Sequence, residues 1–88
     1  MTFPSFYYFA GKRLEKHNIE TLQVPSIDAC EQLCHDEPNC VSINFEAIAD
    51  DNCEYKCELS NSTHQEHDAD FVDAPTHFYR GSKVIQIP

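Results

Sequence analysis

Five cysteines crowd between Cys30 and Cys57 of an 88-residue chain, and two kinds of chemistry use thiols at such density: oxidation to disulfides, or thiolate coordination of zinc. The spacing admits both. Cys30 with Cys34 and Cys53 with Cys57 are C-x3-C pairs, within the range that structural zinc sites tolerate. Zinc knuckles usually ride tight glycine-bearing turns, however, and neither pair sits in one. For disulfides, five thiols taken as two pairs with one left over allow about fifteen arrangements, and spacing alone does not choose among them. Cys53 is read as the odd, unpaired loop thiol, with a partner outside the chain, or competition with Cys57 for Cys30, as the alternatives. As a nucleophile it would need an activating base, and no recognisable catalytic spacing ties any of the five histidines to it. The chain is therefore read as no enzyme, with no catalytic residue and no cofactor.

Other groups suggest binding rather than reaction. Fifteen acidic residues against six basic ones give a formal charge of −9, which repels phosphate backbones, anionic lipid and sulfated polysaccharide. A basic protein patch, a neutral glycan or a cation remains open as partner. The carboxylates of Asp50 and Asp51, and of Asp68, Asp70 and Asp73, are the candidate ligand-binding residues, because acidic loops can meet a basic surface. His64, His67 and Asp68 form a candidate cation set. Asn61 opens the sequon Asn61, Ser62, Thr63, a glycosylation candidate that would be used only in a secretory lumen.

The elements that must position these groups are short. Ser26 as N-cap, Asp28 in the first turn, and Ile27, Cys30, Leu33 and Cys34 at intervals of three and four predict one helix, ended by Pro38 and Asn39. Both thiols of that helix point from its apolar face, so each reaches a different partner more readily than the other. Cys34 lies one turn and a bend from Cys40, which makes that pair reachable. Val41, Ile43 and Phe45 alternate with polar residues, as do Tyr55, Cys57 and Leu59, which predicts two strands, each with one buried face and with Cys57 inward, where Cys30 could close on it. Phe6 to Phe9 read as a strand ended by a turn at Gly11, Ile19 to Val24 as a strand stopped by Pro25, and Phe71, Val72, Phe78 and Tyr79 as a short apolar edge before Gly81. The sum is an α+β domain: an antiparallel β-sheet packed on one α-helix.

Residues 1–88 fit one domain, with a core from about 6 to 80 and an exposed tail over 81–88. A chain this short buries too little apolar surface to be amply stable, so staples are expected. The amino terminus lacks the features of a signal peptide; a secreted protein would therefore carry its signal outside this fragment. No run approaches the roughly 18 apolar residues of a membrane span.

The stretches CEQLCHDEPNCVSINFE and CEYKCELSNSTHQEHDADFV resemble a PAN/apple domain, the resemblance running from about Phe6 to Tyr79. What the resemblance implies is a curved antiparallel sheet cradling one helix, with bridges from Cys30 to Cys57 and from Cys34 to Cys40. It also implies a non-catalytic extracellular binding module for protein or carbohydrate, carried by a larger secreted or cell-surface chain with further domains, and no insertion of its own into membrane. Apple domains add a bridge between their ends, which this chain lacks, so it is similar to the simpler PAN variety. Cys53 has no counterpart in the shared pattern. Family members that bind heparin use basic surfaces, a ligand the charge here argues against. A cation-binding or zinc-stapled domain, or a disulfide-rich inhibitor or toxin-like module, stands as the alternative.

Overall fold

The computed structural model describes residues 5–82. In chain order they form β1 (Ser5–Leu14), β2 (Asn18–Val24), α1 (Ile27–Asp36), β3 (Ser42–Glu46), β4 (Tyr55–Ser60) and, after a 3₁₀ turn at Asp68–Asp70, β5 (Phe71–Ser82). The strands make one antiparallel sheet in the spatial order β1-β5-β3-β4-β2, so the first and last strands of the chain pair with each other. The α+β architecture expected from the sequence is the one observed.

The helix begins where its cap dictates. Ser26 is extended, its hydroxyl oxygen accepts the Ala29 N–H at 3.2 Å, and Asp28 faces the positive end of the helix dipole. At the other end Glu37 turns extended before Pro38, which cannot continue the hydrogen-bond ladder. The apolar stripe of α1 lies on β3, β4 and the edge strand β2. There Cys30 and Cys34 join Val24, Ile43, Phe45, Cys57 and Leu59 in one core. Burying each large aliphatic or aromatic side chain there contributes about 1.5–3 kcal/mol.

Three expectations need correction. First, the central strands are buried on both faces, not one. Ser42, Asn44, Glu58 and Ser60, read as solvent-facing from their alternation, are all buried. The ribbon formed by Lys12–Leu14 of β1 and Phe71–Asp73 of β5 folds over Asn44 and Glu58, as the bonds from Leu14 and Arg13 to them show, while the Ser42 hydroxyl donates to the Ser62 carbonyl, beyond β4, at 2.6 Å. Second, Gly11 does not end β1. It sits inside the strand at φ 76°, where register jumps from Ala10 opposite Phe78 to Lys12 opposite Asp73. Residues 74–77 of β5, with Pro75 among them, form the excursion opposite this one glycine, which lets the ribbon bend. Third, β5 is neither short nor an edge. It runs from Phe71 to Ser82 between β1 and β3. Gly81 and Ser82 of the expected tail thus belong to it, and residues 83–88 lie outside the described residues. Gly81 is required by close approach: a Cβ there would stand 2.6 Å from the hydroxyl of buried Tyr79.

Candidate functional site

The structure joins Cys30 to Cys57 and Cys34 to Cys40, with Cα atoms 5.6 and 5.2 Å apart. The first bridge ties the middle of α1 to β4 beneath it, and the second ties the last turn of α1 to the chain entering β3. Three of the four thiols in the two C-x3-C pairs are thereby consumed, so the zinc reading of those pairs is withdrawn. Cys53 is exposed in the β3–β4 loop, in the left-handed region at φ 61°. Its N–H donates to the Asp50 carbonyl, and among the described residues no histidine is hydrogen-bonded to it.

With α1 pinned in this way, an open surface remains on each of its flanks. Side chains directly opposite across paired strands share a face, and the register places Leu22 with Cys57, and Glu20 with Leu59, on the helix side of the sheet. Between α1 and β2 this leaves a groove of about 220 Å³ lined by Leu22, Leu33, Leu59, Glu20, Asp36 and Glu37. Leu33, expected to be buried by its helical phase, lies instead at the groove's edge and is exposed. The floor is apolar and the rim carries three carboxylates. Neither Glu20 nor Asp36 pairs with a cationic side chain among the described residues, and the Glu37 carboxylate accepts the Asn39 N–H at 3.2 Å.

On the other flank, β1 and β5 extend past the helix. Tyr8 and Arg80 are opposite each other, as are Ala10 and Phe78, all on the helix side. Tyr8 is 61% and Phe78 41% exposed. Arg80 lies 5.1 Å from the centre of the Tyr8 ring, a cation–π contact, and pairs with Glu31 of α1. These residues, with Phe9 and Tyr79, line a shallow depression of about 180 Å³. The run FYYF marks aromatic content, but only the strand register separates outward Tyr8 from Tyr7 and Phe9, which face the opposite side. That is why sequence reasoning missed this face.

The carboxylates singled out in the sequence divide into three groups. Asp50 organises its own turn, accepting the N–H groups of Asn52 at 2.8 Å and Glu54 at 3.0 Å. Asp70 and Asp73 pair within the chain: Asp73 with Lys12 at 2.6 Å, and Asp70 with His17 at 2.9 Å and Lys16 at 3.5 Å. The His17 hydrogen bond, reinforced by Lys16, holds the Asp70 carboxyl below the usual carboxylate range. Asp51 and Asp68 are exposed. Asn61 is exposed too, its N–H donating to the His17 carbonyl.

The cation set His64, His67 and Asp68 does not assemble. His64 is drawn into an aromatic cluster on the sheet face opposite α1, its ring 4.8 Å from Tyr7, 5.1 Å from Phe9 and 5.2 Å from both Phe71 and Tyr79. Its backbone N–H donates to the Tyr79 hydroxyl at 3.0 Å. Burial favours the neutral imidazole and lowers its pKa, against the weaker opposing pull of Asp68. His77, beside Glu46, is lowered in the same sense, again mainly by burial. An unfolded histidine protonates near about pH 6.5, so below that the unfolded chain binds more protons than the folded one. Stability is therefore full above that pH and declines on acidification. Urea denaturation at pH 7 and pH 5 is expected to show a lower midpoint at pH 5, with a smaller decline in His64→Phe. A decline of the same size in that variant would refute the assignment to His64.

Among the described residues no helix is long and apolar enough to cross a membrane. A family model described as the PAN domain matches residues 5–84. No curated protein sequence matches the chain.

Proposed function

The chain belongs to the PAN domain family, and from that premise we propose that it is a non-catalytic module through which a larger secreted or cell-surface protein grips a protein partner. The observation that carries the reading is the groove between α1 and β2. An apolar floor with a carboxylate rim suits a partner segment that inserts an aliphatic side chain and flanks it with lysine or arginine. The −9 charge favours encounter with such a segment, and exposed Asp51 and Asp68 add to that field without touching the ligand. The two disulfides favour an oxidising, extracellular setting. Asn61 is accessible enough to carry a glycan there.

A second reading is supported by the exposed rings of Tyr8 and Phe78. Flat aromatic faces beside a fixed arginine suit the apolar face and hydroxyls of a neutral sugar. One experiment addresses both. The oxidised chain, immobilised, is probed with a displayed peptide library and with an array of neutral glycans. Enrichment of peptides with an aliphatic residue between basic ones, lost in Glu20→Lys/Glu37→Lys and retained in Tyr8→Ala, is the expected result. Glycan binding lost in Tyr8→Ala transfers the function to the aromatic face. Enrichment of acidic peptides would overturn the groove assignment.

A further inference from the structure

We infer that His17, His67 and Asp70 form a binding site for a borderline divalent cation, zinc in the first instance, that clamps the β1–β2 turn to the 3₁₀ turn before β5. His17 is remote in sequence from His67 and Asp70, which share one short turn, and the ligand atoms of all three lie within 4.8 Å of one another. Backbone bonds hold all three in place. The His17 carbonyl accepts the Asn61 N–H at 3.1 Å, the Asp70 carbonyl accepts the Glu15 N–H at 2.9 Å, and the His67 carbonyl accepts the Asp70 N–H at 2.9 Å. The His67 N–H in turn donates to the Thr63 carbonyl at 3.2 Å. The imidazoles of His17 and His67 stack with centroids 3.9 Å apart, and the His17 Nε2 to Asp70 Oδ2 distance is 2.9 Å.

Tetrahedral zinc with ligand bonds near about 2.1 Å sets its ligand atoms about 3.4 Å apart. The His17–Asp70 pair, at 2.9 Å, stands closer than that and opens by about 0.5 Å to admit the ion. His67 is exposed, so rotation of its side chain closes the third edge without disturbing the core. Two imidazoles and one carboxylate suit zinc rather than calcium or magnesium, which favour all-oxygen sets. Three protein ligands leave one coordination position for water. On binding, the ion replaces the hydrogen bond between His17 and Asp70, and the imidazole proton resides on Nδ1. Lys16, its ammonium 3.5 Å from Asp70 Oδ1, is the resident cation with which zinc competes. The clamp would lie away from both disulfides, which cross-link α1 to β4 and to the start of β3.

The test uses the full oxidised chain without a polyhistidine tag, titrated with zinc in a calorimeter and with cobalt(II) in a visible spectrometer. Saturation at one ion per chain is expected, with the visible bands of four-coordinate cobalt and a thermal midpoint raised by zinc. His67→Ala, which removes an exposed ring, and Asp70→Asn, which keeps an acceptor for His17, should each weaken binding by about tenfold or more. Lys16→Gln should strengthen it, and His35→Ala on α1 should leave it unchanged. Wild-type affinity in either His67→Ala or Asp70→Asn, an equal loss in His35→Ala, or no saturable binding would overturn the inference.

Discussion

An unfolding free energy lower by about 3.5 kcal/mol is the expected result of replacing Cys30 and Cys57 together by alanine, against about 2 kcal/mol for the Cys34 and Cys40 pair. The difference follows from loop length. The bridges close loops with sequence separations of 27 and 6, and the longer loop removes more conformational freedom from the unfolded chain. Packing acts in the same direction. Cys30 and Cys57 are each 0% exposed in the core, whereas Cys40 is only partly buried against it, so truncating the first pair also leaves the larger void. A domain of this size has about 5 kcal/mol or little more in hand. The Cys30/Cys57 variant should therefore melt near room temperature while the Cys34/Cys40 variant stays folded. Guanidinium denaturation of the two variants checks this, and an equal or reversed order would show that the bridges do not act as described.

How far the fold was legible depended on whether a residue's partners lay close in sequence. The helix was legible because its signals are local: Ser26 caps it, Asp28 faces its dipole, and Cys30 and Cys34 mark its buried stripe. The inward faces of β3 and β4 were legible from strict alternation, Ile43 and Phe45 on one strand, Cys57 and Leu59 on the other. Their outward faces were not, because Ser42, Asn44, Glu58 and Ser60 have the composition of a solvated face. Distant segments make them interior: the ribbon of Lys12–Leu14 and Phe71–Asp73 lies over Asn44 and Glu58, and Ser42 bonds to Ser62 in the chain after β4. β5 read as a broken apolar edge for a related reason. Pro75 and the excursion over residues 74–77 interrupt its alternation, and its place between β1 and β3 is set by pairing with residues more than 30 positions away. The candidate surfaces share that origin. Leu22 and Leu33 form one groove, Tyr8 and Phe78 one face, and His17 and Asp70 one pair, through contacts no local pattern announces. The acidic loops were visible as composition, yet composition does not say that Asp70 and Asp73 are committed to His17, Lys16 and Lys12.

Asn44→Ala should cost about 3 kcal/mol, on the scale of truncating an apolar core residue of similar size. Asn44 is 0% exposed and behaves as one peptide unit of a missing strand. Its Oδ1 accepts the Leu14 N–H at 2.9 Å and its Nδ2 donates to the Leu14 carbonyl at 2.7 Å, satisfying both backbone groups on the side of β1 turned away from β5. The same Nδ2 lies 3.1 Å from Glu58 Oε1, whose carboxylate is held by Arg13 through two further bonds at 3.0 and 2.9 Å. That pairing raises the Arg13 pKa, and the guanidinium stays charged throughout the accessible range. Alanine leaves two buried backbone groups and one carboxylate lone pair unsatisfied, at about 1–3 kcal/mol for each group that finds no water. Asn44→Asp separates this account from a simple loss of volume. Aspartate keeps the acceptor for Leu14 but removes the donor and sets a second negative charge against Glu58, so it should be worse than alanine at pH 7 and improve as the pH falls through the carboxylate range. Denaturation of both variants at pH 7 and pH 4 measures this. An Asn44→Asp variant that matches wild type at pH 7 would mean that the ribbon is held over the sheet by its apolar contacts alone.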